Sequence, residues 1–85
     1  METRYRLPRK VSLGFGVTIF VRTTTEAHLK SIMHTDNSLD GGWDDSSNTI
    51  WIDEACAPKK RKQVFFHELI HAINDVAALG ADIHL

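Results

Sequence analysis

The sequence predicts a small α+β domain in which a twisted antiparallel sheet of three or four strands packs against one long helix. Two observations carry this. From Lys59 to Leu79 every residue is compatible with a helix, Pro58 suits a first turn and Gly80 a C-terminal stop. Upstream, short segments rich in β-branched and aromatic residues (VSLGFGVTIFV, WDD and TIWID) are bounded by Gly, Asp, Ser and Asn. The 85 residues are expected to form one domain, 1–85, with a marginal core, since chains of this size bury only about 60% of their unfolded surface.

The first ten residues carry Arg4, Arg6, Arg9 and Lys10, with little apolar content beyond Tyr5 and Leu7, and read as a loose basic leader. Four charges without interleaved aromatic residues are weak evidence for a patch contacting nucleic acid or a partner, and a solvated tail is the favoured reading. The net charge of -1 exerts no overall pull toward nucleic acid or an anionic membrane. Neither is expected among the partners.

Val11 to Val21 alternates imperfectly around Gly14 and Gly16, as two short strands or one bulged strand would, with Val17, Ile19 and Val21 on one face and Phe20 on the other. Thr23 and Glu26 form a capping-box pattern, and Leu29, Ile32 and Met33 give a helical stripe over Thr24 to His34, expected on the same core as the long helix. His28 and His34 are read as surface residues of that helix. Thr35 to Gly42 is rich in turn formers, and Leu39-Asp40-Gly41-Gly42 can reverse the chain. Trp43 to Asp45 and Thr49 to Asp53 then read as a hairpin across Ser46, Ser47 and Asn48. In its second strand Ile50 and Ile52 face one way, and Thr49, Trp51 and Asp53 the other.

Cys56, the single cysteine, cannot form an internal disulfide and reads as a packed thiol. No apolar run resembles a signal peptide or a membrane span, so a cytoplasmic protein is expected. The run Lys59-Lys60-Arg61-Lys62 opposes the helix dipole at a cost of a few tenths of a kcal/mol per residue, roughly, and reads as a solvated helix start.

The chemistry concentrates in FFHELIHAINDVAAL, residues 65–79. Phe66, Ile70, Ile73 and Ala77 form one apolar stripe, widened by Phe65, Leu69, Ala72 and Val76, which is expected to face the core. His67, Glu68 and His71 form the pattern HExxH. On a helix the two imidazoles lie one turn apart on one face and can chelate a single ion. Zn2+ suits neutral imidazole, and Glu68 beside the pair can act as general base on a metal-bound water. A catalytic zinc site wants a third protein ligand. No Glu follows Glu68, so the candidates are His84 first, then Asp82 beyond Gly80, and Asp75, whose short side chain better suits orienting a ligand histidine.

HELIHAINDVAAL resembles the active-site helix of gluzincin-type metallopeptidases, which carry an Asp one turn after the second His, where Asp75 stands here. The whole chain resembles the small phage and bacterial metallopeptidase-like proteins related to the ImmA/IrrE group. In these a basic N-terminal strand, a helix, a Gly-containing turn and a strand like NTIWID precede the HExxH helix. The resemblance implies a zincin-like fold, zinc on His67 and His71, and Glu68 as catalytic base. It also implies that Thr49 to Asp53 is an edge strand pairing with extended substrate, with Thr49 and Trp51 as substrate-binding residues; a hairpin that only covers the core is an equal alternative.

Three readings follow. The first is a zinc-dependent peptidase acting on a peptide or protein. The second is a catalytically silent zincin-like module that binds peptides. The third is an incomplete chain whose third ligand lies elsewhere. So small a core also makes a homodimer an expected option.

Overall fold

The structure, a computed structural model, describes residues 6–14 and 16–82, with side chains described as far as residue 78. The first half of the expected basic leader, residues 1–5, lies outside the described residues. Six elements follow one another: β1 (Lys10–Gly14), β2 (Val17–Thr24), α1 (Glu26–Met33), β3 (Gly41–Asp44), β4 (Thr49–Asp53) and α2 (Pro58–Asp82). The class is α+β, as expected: one four-stranded sheet and two helices, the second long.

The sheet is mixed rather than antiparallel. Its order is β1-β2-β4-β3, with antiparallel pairs at each end and a parallel β2–β4 pair in the middle. The chain path explains it. After α1 the chain enters β3 level with the C-terminal end of β2, β3 carries it back to the other end, and the β3–β4 turn reverses it again, so β4 runs in the same direction as β2. Between β1 and β2, Gly14 and Gly16 take φ of +83° and +78°, which a side chain would resist. A register irregularity between Ser12 and Gly14 accompanies that turn. Between β3 and β4, Asn48 sits at φ +52°, and the Asp44 carboxylate accepts from the Ser46 and Ser47 hydroxyls, each at 2.7 Å. Those bonds hold its pKa below the ordinary Asp value.

Side chains alternate across the sheet, so the two helices take opposite faces. Ile19 and Val21 of β2 and Ile50 and Ile52 of β4 meet Val64, Phe65 and Ala72 of α2 in the main core, with Leu7, Val11, Leu13, Trp43 and Leu69 packed around it. Burying each of these isoleucines is worth about 1.5–3 kcal/mol. On the other face α1 covers β3 and β4, with Leu29 fully buried and the edge of the His28 ring against Trp51, centroids 5.5 Å apart. The expectation that α1 shares the core of α2 is thus corrected.

Consecutive glycines in β3 make this double packing possible. A Cβ on Gly41 would collide with Val64 Cγ1 of α2 and stand 2.8 Å from the Trp51 carbonyl oxygen, and one on Gly42 would collide with Met33 Sδ of α1. Both belong to a strand, not to the chain reversal read from the sequence. The cap of α1 also shifts. Thr25 is the N-cap, its hydroxyl accepting from the His28 amide at 3.2 Å, because the extended backbone of β2 runs through Thr24. His28 and His34 are exposed, as expected.

In α2 the rotation differs from the expected one. Phe66, Ile70 and Ile73 are 46%, 60% and 43% exposed and Ala77 is exposed, whereas Val64, Phe65 and Ala72 are buried. Apolar residues span more of the helix circumference than one sheet face can cover. The Phe65 flank wins because Ala72 permits close approach and Val64 fits against Gly41. Gly80 does not stop the helix, which continues to Asp82; a lone glycine costs about 1 kcal/mol inside a helix and is tolerated. At the other end Lys59, Lys60 and Lys62 are exposed. Arg61 instead folds back, its Nε donating to the Cys56 carbonyl at 2.9 Å and its Nη2 to that of Glu54 at 2.6 Å.

Candidate active site

The helical spacing brings His67 and His71 together on an exposed part of α2. Their Nε2 atoms stand 3.2 Å apart, with the rings crossed at 77°. Two ligands about 2.0–2.1 Å from a zinc ion at a tetrahedral angle are separated by about 3.3 Å. The pair therefore fits the ion as two of its ligands. Among the described residues no group of three or more His, Cys, Asp or Glu converges. His84 and the side chain of Asp82, the foremost candidates for a third ligand, lie outside the described residues.

Glu68 points toward β3 and is half-buried. It lines two adjoining depressions: one with His71, Trp43, Asn74 and Asp75, about 760 Å³ in volume, and one with His67, Asp40, Lys60 and Gln63. Gly41 also lines both, so together they form a groove along the outer side of β3 that passes the HExxH residues. Burial raises the pKa of Glu68 above the ordinary Glu value, and the neighbouring His71 and His67 oppose that shift. At one end Lys60 and Asp40 approach to 3.5 Å, an exposed pair worth at most about 1 kcal/mol.

Asp75 makes a contact other than the expected one. Its Oδ2 accepts from Trp43 Nε1 at 3.1 Å, so it ties α2 to β3 instead of orienting a histidine. Trp43 can reach it because it lies opposite Ile50 in the ladder, on the face that α2 covers.

Thr49 and Trp51 do not line this groove. Their strand, β4, is paired on both sides, by β2 and β3, so no extended peptide can add to it. Thr49 is 6% exposed, its hydroxyl donating to the Ser47 carbonyl at 3.0 Å, and Trp51 faces α1. The edge strand beside the histidines is β3, and the groove residues missed by sequence reasoning are Gly41, Gly42 and Trp43. Local sequence holds no signal for this, because either strand of the β3–β4 hairpin could have paired with β2 and left the other at the edge. Cys56 is half-buried, with burial and the nearby Asp40 and Asp53 raising its pKa, as suits a packed thiol and not a nucleophile.

Comparison with known proteins returns no matching family model, no matching curated protein and no matching solved structure, so the site is interpreted from its own geometry. Among the described residues no helix is long and apolar enough to cross a membrane.

Proposed function

We propose that this chain is a zinc-dependent peptidase of the HExxH type whose substrate lies extended along β3. The observation that carries the reading is the chelating separation of His67 and His71, 3.2 Å between Nε2 atoms, next to a half-buried glutamate and a free strand edge. His67 and His71 would hold the ion. Zn2+ supplies Lewis-acid polarisation of water and of a peptide carbonyl.

The remaining work belongs to the chain. Main-chain groups of β3 align the peptide by strand addition, with Gly41 and Gly42 letting α2 and α1 pack closely on the strand that carries it. Glu68 takes the proton of the attacking water and passes it to the leaving amine. Burial favours this exchange, because a pKa raised toward neutrality makes the carboxylate a base that can also return the proton. The Asp75 to Trp43 hydrogen bond holds strand and helix at a constant separation. The single cysteine suits a reducing, cytoplasmic setting.

Metal content and hydrolysis of an unstructured peptide library test this reading. Near one zinc per chain after dialysis, lost in His71→Ala, is expected, together with a Glu68→Gln variant that keeps zinc and loses about 10²–10⁴-fold in rate. Full turnover in Glu68→Gln would overturn the mechanism. A second reading, a silent zincin-like module that binds peptides through β3, is favoured by one observation: the described residues bring only two ligand groups together. It predicts no zinc retention and no hydrolysis, but peptide binding that a proline in the peptide abolishes.

A further inference from the structure

One stretch of the chain is purely basic. Residues 6–25 hold Arg6, Arg9, Lys10 and Arg22 and no Asp or Glu, in a protein of net charge -1. The fold adds what the basic leader lacks in sequence, an aromatic ring among the cations. Phe20 lies directly opposite Lys10 in the β1–β2 ladder, on the sheet face away from α2, and is 37% exposed. Arg22, two residues on, shares that face and sets its guanidinium 5.5 Å from the Phe20 ring centroid.

That guanidinium is fixed. Its Nη1 donates to the carbonyls of Val21 at 3.0 Å and Arg9 at 3.2 Å. Beside it a shallow groove of about 700 Å³ runs between the entry to β1 and the end of β2, and its charged lining residues, Arg9, Lys10 and Arg22, are all cationic. The face stays open because α1 packs on β3 and β4. Lys10, Ser12, Phe20 and Arg22 are all exposed.

We infer that the outer face of the β1–β2 hairpin binds single-stranded nucleic acid, with one base stacked at the Phe20–Arg22 platform and the flanking phosphates paired with Arg9 and Lys10. Cations alone would accept any polyanion. A planar ring exposed on a sheet face and flanked by cations matches the alternation of base and phosphate along a single strand. An acidic peptide offers charge without a ring to stack. This inference is independent of the peptidase reading, since the patch and the histidines belong to different elements.

Fluorescence anisotropy of the full chain with 5′-labelled twelve-residue oligo(dT) and oligo(U) tests it, with poly-glutamate of equal charge as competitor. Saturable binding is expected, weakened about 5- to 100-fold by Phe20→Leu and restored by Phe20→Trp, as stacking requires and apolar bulk does not. Lys10→Gln should lower the slope of log affinity against log salt by about one. Absence of oligonucleotide binding would overturn the proposal. So would equal affinity in the folded Phe20→Leu variant, or poly-glutamate competing as well as unlabelled oligonucleotide.

Discussion

The two halves of the sheet are built differently. Around β3 and β4 both helices press on the strands, Ile50, Ile52 and Leu29 are fully buried, and Gly41 and Gly42 let the flanking helices close in. Acidic residues gather there, with Asp40, Asp44, Asp45, Asp53 and Glu54 on or next to these strands. Around β1 and β2 one face packs on the core while the other is bare and basic. The difference separates two kinds of task. The catalytic constellation proposed here needs groups held in fixed relation, and His67, Glu68 and His71 lie on the helix packed against β3. A surface that recognises charge and ring stacking needs only exposure and a rigid sheet beneath it.

Core truncation gives the largest expected contrast. Phe65→Ala should cost about 3–5 kcal/mol in denaturant unfolding, whereas Val11→Ala, half-buried on the outer strand β1, should cost about 1 kcal/mol. Equal losses would mean that the two halves are equally well packed. Next, Gly41→Ala should cost about 1–3 kcal/mol, because its methyl group meets Val64 and the Trp51 carbonyl. It should also reduce zinc retention by moving α2 away from β3. Unchanged stability would show that the strand and helix are not clamped.

The smallest effect is a pH dependence. Because the pKa of Glu68 is raised in the folded protein, the native state binds its proton more tightly than the unfolded chain does. The associated stability is present below the ordinary Glu pKa and lost as pH rises through the raised value. Metal-free Glu68→Gln, which mimics the protonated side chain, should therefore be more stable than the parent at neutral pH. The advantage should vanish on acidification below the ordinary Glu range. Thermal melts across that window check it, and a difference that grows toward acid would contradict the burial of this carboxylate.

Much of the molecule is legible in the chain itself. The long helix, the β3–β4 hairpin, the strand character of Val11 to Val21 and the shared faces of Ile19 with Val21 and of Ile50 with Ile52 follow from periodicity, because local spacing decides which side chains share a face. So does the pairing of His67 with His71, since four residues make about one helical turn. Tertiary structure decided the rest. Which flank of α2 meets the sheet depended on how the glycines of β3 and the small Ala72 allow surfaces to approach. Those are contacts between residues far apart in sequence, and α2 offered two apolar flanks of similar composition. Which strand forms the edge beside the histidines depended on which strand of the β3–β4 hairpin paired with β2, and so moved from Thr49–Asp53 to Gly41–Asp44. Phe20 joined the basic residues only because strand pairing sets it across from Lys10, ten positions away along the chain.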